Sequence, residues 1–339
     1  MPTTTTAPSP MYLITSADQY MGHAITSHLA RDPSLRSQMR ILCQQKMTCL
    51  NFSNKGIDVR QVDYDHPNDL SLAMRGIKCM ILAVGNEPDR VRYCEHLIDV
   101  ANRSGVENII CISHVGAVSS THEALRHFAF IEEKVISSEH CQWTILRPDF
   151  IYQHFLLWTS MIERSRVLSL PVPAGAEICP IDISDVCKVV EELVVRSNNN
   201  DQHAGQVYTL TGPQTLRIKD LIQWMRSATG FKKLEFVFTR PMDTAYYMQE
   251  LRNDIWFDAR IKREHSLIYQ DTLDGYAYRS RILGAPSATQ IQTIIDYFDW
   301  VHKTSSSVLV PHASSITSLP VRSVRKFLQE NANSFKPRV

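Results

Sequence analysis

The chain has 339 residues, 44% apolar and 21% charged, which suits one large or two ordinary domains with a sizeable core and excludes a predominantly disordered protein. A formal net charge of +1 gives no general attraction to nucleic acid or to an acidic membrane surface, and no apolar run of about eighteen residues reads as a membrane span. The eight cysteines (Cys43, Cys49, Cys79, Cys94, Cys111, Cys141, Cys179 and Cys187) form no C-x-x-C pair and have no histidine at zinc-ligand spacing, so they read as buried free thiols of a reducing compartment, with no metal site.

Residues 1–10 are Thr- and Pro-rich, lack the basic and apolar regions of a signal peptide, and read as a disordered tail. Residues 11–15 then form a short apolar strand, 16–21 a tight turn, and 22–30 a helix with Ile25 and Leu29 on one face. Strand, sharp turn and helix open a doubly wound α/β sheet, in which the helix N-terminus faces a dinucleotide's pyrophosphate. Such turns carry three glycines, for the tight bend, for phosphate approach and for helix–strand packing. Here the three positions read Ser16, Gln19 and Gly22, so only the packing glycine is kept. Gln19 is long and Asp18 beside it is negative, and both oppose an anion held by backbone N–H groups. The fold signal is intact and the binding signal is damaged. Glycine is scarce throughout, with 12 residues, about half of average usage.

Further strands are read at 38–43, 56–63, 79–85, 108–113 and 142–148, alternating with helices at 67–75, 89–104 and 125–138. The second strand ends in Cys43-Gln44-Gln45-Lys46, with neither an acidic residue for ribose hydroxyls nor an arginine for a 2′-phosphate; Lys46 reads as solvated. The fully apolar strand at 79–85 is of the parallel, doubly covered kind. This alternation argues for one parallel sheet: an α/β class, with a doubly wound Rossmann sheet over 11–152 and a smaller α+β unit over 153–303.

In that second part, helices are expected at 155–163, 182–196, 218–229 (stopped by Gly230), 243–257 and 289–302, with strands at 206–211 and 234–238 and a loop or hairpin at 167–179. The helix at 182–196 and the strand at 206–211 are expected to return to the first sheet. From Thr304 the chain turns Ser-rich and reads as a mobile tail over 304–339, with a short basic helix at 321–331.

Segments in register then carry a resemblance. Residues 12–22 match I-x-V-T-G-A-T-G-x-x-G, 56–63 match G-V-x-V-x-x-x-D, 76–84 match G-x-D-x-V-F-x-V, and 112–117 match Y-x-S-S-V-G-A. Residues 143–148 match W-T-I-L-R-P, 180–185 the V-D-V-x-D segment, and 208–213 Y-x-L-T-G-P. Together they resemble the NmrA-like branch of the atypical short-chain dehydrogenase/reductases over residues 12 to 300. The resemblance implies an NAD(P) site lined by Thr15, Ser16, Gln19, Tyr20, Met21 and Gly22, by Gln44, by Asp63 and Tyr64, by Ala83, Val84 and Gly85, and by Ser113. Gln44 stands where many relatives carry an arginine. The superfamily's proton-handling Tyr and Lys, four residues apart on one helix face, correspond to Ala129 and Glu133, so no catalytic residue is assigned.

Other candidates are weak. His127 points away from that face, His114 either lines the cleft or is solvated, and Glu132 and Glu133 read as a solvated helix face. Tyr246, Tyr247, Trp256 and Phe257 read either as an aromatic wall over the cleft or as core. Three readings follow. The first is a non-catalytic, NmrA-like regulator that senses the dinucleotide pool and binds a protein such as a GATA-type transcription factor, in the cytoplasm or nucleus. The second is an NAD(P)H-dependent reductase with an unrecognised proton donor. The third is a Rossmann-like interaction module with no nucleotide.

Overall fold

The computed structural model describes residues 11–196, 202–259, 277–280, 284–304 and 308–337. The expectation for residues 1–10 lies outside them. Seven parallel strands form the central sheet: β1 (Tyr12–Ile14), β2 (Met39–Cys43), β3 (Asp58–Gln61), β4 (Cys79–Ala83), β5 (Asn108–Ile112), β6 (Gln142–Pro148) and β9 (Gln206–Leu210), in the order β3-β2-β1-β4-β5-β6-β9. Every residue of β2 and of β4 is buried, as expected for strands covered on both faces. On one face lie α1 (Tyr20–Leu29) and α5 (Ile183–Glu191), which pack on each other. On the other lie α2 (Pro67–Met74), α3 (Arg90–Ser104) and α4 (Glu123–Ile136). The strand order reverses between β1 and β4, and the crevice at their C-terminal ends is where such sheets bind ligands. As expected, β9 and α5 belong to this first layer although they come late in the chain.

The smaller unit has its own core around Trp158, Phe155, Phe298 and Phe327. It holds α6 (Ile218–Thr229), which stops at Gly230 with φ +71°, α7 (Pro241–Glu250) and α8 (Ala288–Thr304). Residues 167–179 form no hairpin. Instead β7 (Val167–Leu170) pairs in parallel with β11 (Glu235–Phe238), and β8 (Glu177–Ile178) pairs antiparallel with β10 (Leu216–Arg217).

The C-terminal segment corrects the expectation of a mobile tail. Residues 308–337 carry α9 (His312–Thr317) and α10 (Val324–Glu330) and bridge the two units. Thr211 and Val310 exchange hydrogen bonds of 2.9 and 3.2 Å, so the segment continues beside β9. The Arg322 guanidinium meets the fully buried Asp182 carboxylate at 2.5 Å, the Arg322 backbone N–H donates to Asp185 at 2.7 Å, and Phe327 and Phe335 fill the smaller core. A serine-rich composition concealed this because few apolar residues anchor the segment, and they do so far apart in sequence.

Candidate active site

The β1–α1 turn is built by strain and by one tyrosine. Ser16 occupies the first glycine's position with φ +49°, a left-handed conformation that a side chain adopts at a cost of about 1 kcal/mol or more. Its N–H donates to the buried Tyr64 hydroxyl at 3.0 Å, which holds the turn from below. Thr15 Oγ1 donates to the Ala83 carbonyl at 2.9 Å and fixes β1 to β4. A Cβ on Gly22 would collide with the backbone oxygens of Ser16 and Thr15, so this glycine serves packing, as its position implies.

The phosphate cradle is filled by the protein's own side chains. The Gln19 amide oxygen accepts from the Asn86 N–H at 2.5 Å, and its Nε2 donates to the Glu87 carboxylate. Glu87 in turn folds back over Gly85. Asp18 reaches across to the end of β2 and accepts from the Gln44 and Gln45 N–H groups at 2.9 and 2.8 Å. Burial raises the Asp18 carboxyl above its ordinary range, against the pull of three backbone amides. Burial also raises Glu87, and the Asp18 charge adds to it. The outer cleft these residues line has a volume of about 450 Å³, and no lysine or arginine stands among its described lining residues. Lys46 is exposed, as expected.

Tyr20, Asn86, His154 and Gln290 line this cleft and also a deeper chamber of about 90 Å³ over the ends of β4, β5 and β6. Met21, Val84, Ile112, Pro148, Phe150 and Ile294 give the chamber apolar walls. Its polar groups are mostly committed to each other. Tyr297 donates its hydroxyl to the buried Asp149 carboxylate at 2.5 Å, and Ser113 donates to Glu132. His114 stacks on Phe128 with ring centroids 5.3 Å apart and meets Tyr297 edge-on at 5.6 Å. Beneath Phe128 lies the buried Arg90 guanidinium, 4.5 Å from the ring centroid. Burial pushes His114 down to about 3, with Arg90 adding to the effect, and burial pushes His154 down to about 4. Both imidazoles are neutral near pH 7.

Of the residues singled out in the sequence, Gln19, Tyr20, Met21, Gln44, Val84 and Ser113 line the crevice, while Thr15, Ser16, Gly22, Tyr64, Ala83 and Gly85 shape its floor. Asp63 does not join them: it is exposed and caps its own turn through the Asp65 N–H at 2.9 Å. Glu132 is not on a solvated face. It is 3% exposed and paired at 2.8 Å with Arg147, whereas Glu133 is exposed as expected. His114 lines the chamber rather than facing solvent. Tyr246 and Trp256 form neither cleft wall nor core, being 67% and 54% exposed, whereas Phe257 is core. The residues missed were Asn86, Glu87, Phe128, Asp149, Phe150, His154 and Tyr297. Phe128 and Tyr297 each follow a helical apolar stripe, so nothing in their spacing separates a chamber wall from ordinary core.

Comparison with known proteins fits this geometry. A family described as NAD(P)H-binding matches residues 20–155. The chain is 19% identical to an NmrA-like family domain-containing oxidoreductase, flvB, of Aspergillus flavus, over 68% of this chain and 75% of that protein. It shares its fold with the NADPH-dependent quinone oxidoreductase of Escherichia coli, solved in complex with NADPH, at a TM-score of 0.69 and 18% identity over 94% of this chain and 99% of that one. These likenesses agree with the resemblance to NmrA-like short-chain dehydrogenase/reductases seen in the sequence, and what matches directly is the NAD(P)H-binding segment over residues 20–155. A further relative, an NAD(P)H azoreductase of Xenophilus azovorans, is 22% identical over 52% of this chain, and the match spans 60% of that relative's length. Among the described residues no helix is long and apolar enough to cross a membrane, and no group of three His, Cys, Asp or Glu side chains is placed to hold a metal.

The crevice has two ends of different character. Its outer half is open beside β2, and its inner half presents apolar strand ends to a flat ring. Its middle, where phosphates would meet α1, is held shut by Gln19 and Glu87.

Proposed function

We propose that the chain is a nicotinamide-dinucleotide-dependent reductase acting on a planar aromatic acceptor that carries a carbonyl oxygen, such as a quinone. One observation carries this reading: a polar outer cleft and an apolar chamber share a rim of Tyr20, Asn86, His154 and Gln290 at the switch point of the sheet, which suits a dinucleotide laid across β1 and β4. The names of the azoreductase and quinone oxidoreductase relatives support a reductase over the non-catalytic regulator.

When bound, the reduced nicotinamide supplies a hydride. This chain's residues bind and orient. Val84, Ile112 and Pro148 provide a dry surface, and Phe150 and Tyr297 wall the far side. The chamber's 90 Å³ is smaller than the ~150 Å³ of an apolar cavity known to admit benzene, so rings enter only as side chains at its mouth swing aside. Phosphates can enter the cradle only if Gln19 leaves it, which frees the Asn86 N–H. Ala129 and Glu133 supply no acid–base pair, and such an acceptor needs none, because the proton that completes a hydroquinone is available from water. Asp18 already occupies the Gln44 and Gln45 amides that would otherwise face a 2′-phosphate, which favours NADH over NADPH.

The closed cradle itself favours a second reading, a Rossmann-like module that takes no nucleotide. Calorimetric titration with NAD+, NADP+, NADH and NADPH, followed by mixing with menadione, separates these two readings from each other and from the sensing regulator. Micromolar binding of NADH with its oxidation by menadione supports the reductase. Binding without turnover supports the sensing regulator, and silence with all four ligands supports the module.

A further inference from the structure

The chamber contains one side chain whose hydrogen-bonding state the backbone dictates. His114 lies two residues beyond the end of β5, and its Nδ1 accepts from the Gly116 N–H at 2.9 Å. A backbone N–H only donates, so Nδ1 must present its lone pair and carry no proton. The ring is neutral, since burial and the neighbouring Arg90 both disfavour the imidazolium. Its single proton therefore sits on Nε2. No described residue accepts that hydrogen, and the ring lines the chamber.

The neighbouring hydroxyls are otherwise engaged. Ser113 donates to Glu132, Tyr297 to Asp149, Thr293 to the Thr289 carbonyl at 2.8 Å, and Tyr20 to the Tyr278 carbonyl at 3.5 Å. Asn86, His154 and Gln290 stand where the chamber meets the outer cleft. Deep in the chamber, His114 offers the donor. Its orientation is fixed by the Phe128 stack on one side and by the Gly116 hydrogen bond at its edge.

We propose that His114 is a catalytic residue that holds the acceptor's carbonyl oxygen through a neutral Nε2–H and stabilises the negative charge that develops there as the hydride arrives. This rests on the reductase reading above. The two electrons and one hydrogen come from the reduced dinucleotide, the carbonyl π bond opens, and the second proton comes from water. The imidazole keeps its own proton, because a neutral imidazole is a far weaker acid than the hydroquinone being formed. A fixed neutral donor of this kind strengthens its hydrogen bond only as charge grows, so it lowers the barrier more than it tightens ground-state binding.

The test combines a spectrum with a rate. With 15N-labelled histidine at pH 7, long-range proton–nitrogen spectra should show His114 with a protonated Nε2 and a bare Nδ1, and menadione should shift the Nε2–H resonance without any dinucleotide present. His114→Phe keeps the ring and removes the donor. It should leave NADH affinity unchanged and slow single-turnover reduction of menadione about a hundredfold, the usual cost of one such donor, with kcat falling rather than KM rising. His114→Gln, which restores an N–H, should recover part of the rate. A proton on Nδ1, no menadione shift, or a Phe variant as fast as the parent would overturn the proposal. Absence of NADH oxidation by the parent protein would overturn the reductase reading instead, while the tautomer and the menadione shift still decide whether His114 is an oxygen-binding donor.

Discussion

The two halves of the crevice are made differently. The inner chamber is walled by residues that also belong to the hydrophobic cores, such as Phe150, which touches the rings of His154, Phe155, Tyr297 and Phe298. The outer cleft is closed by polar side chains on loops: Gln19 bonds Glu87 and the Asn86 N–H, and Asp18 accepts from the Gln44 and Gln45 N–H groups. Remodelling the chamber should therefore disturb folding, whereas remodelling the cleft should cost less stability. A Rossmann sheet can alter its phosphate cradle while keeping its architecture, since the two depend on different side chains.

Stability measurements should break or sustain that contrast. Phe150→Ala removes a ring that is 3% exposed, and should cost about 3–5 kcal/mol in denaturant melts. Gln19→Gly should cost well under half as much, because it removes two loop hydrogen bonds and no core contact, despite the freedom glycine adds to the unfolded chain. Equal losses in the two variants would mean that the Gln19 bridge is part of the core's support.

Binding measurements take the opposite ranking. Gln19→Gly combined with Glu87→Gln opens the cradle and removes one of its two carboxylates, and NADH affinity should rise by about tenfold to a hundredfold in calorimetric titration. Phe150→Ala should change that affinity far less, as long as the variant is folded. No gain in the double variant would show that another part of the crevice holds the dinucleotide out.

The same division explains what the sequence made legible. The order of strands and helices, the packing role of Gly22 and the loss of the phosphate glycine all follow from short-range patterns, apolar runs at β4 and β5 and a fixed spacing in the first turn. The plug did not. Gln19 was visible as an obstacle, but its partners Asn86 and Glu87 lie 67 and 68 residues away, and nothing local marks them. Glu132 misled for a related reason: helical spacing places it beside exposed Glu133, and only the arrival of Arg147 from β6 at 2.8 Å makes its burial tolerable. The tail misled because Arg322 finds Asp182 from 140 residues away. Composition describes a segment's own residues and carries no record of a distant partner.

Acidity provides a further test of the outer half alone. The Asp18 and Glu87 carboxyls are raised, by burial first and for Glu87 also by Asp18, so in the folded protein each keeps its proton to higher pH than a free carboxylate does. Their contribution to stability is thus complete below the ordinary carboxylate range and is lost as pH rises through the raised values. A pyrophosphate brought beside them raises them further and draws in protons. NADH should accordingly bind several-fold more tightly as pH falls from 8 towards 5.5, and Glu87→Gln should flatten that dependence. A parent profile that is already flat would place the phosphates away from both carboxylates.

The smallest effect concerns the choice of dinucleotide and isolates Asp18. Its carboxylate spans the Gln44 and Gln45 amides, so a 2′-phosphate arriving at the end of β2 meets a negative charge where it would need donors. The 2′-hydroxyl of NADH meets an acceptor there instead. NADH should therefore bind a few-fold to tenfold more tightly than NADPH, and the ratio should shrink as salt is added. Asp18→Asn leaves one amide oxygen able to accept from the same backbone groups and removes the charge, so it should narrow the ratio chiefly by improving NADPH. If the ratio instead favours NADPH in the parent and stays unchanged in Asp18→Asn, the adenosine end lies elsewhere than over the end of β2, and the outer cleft has a different occupant.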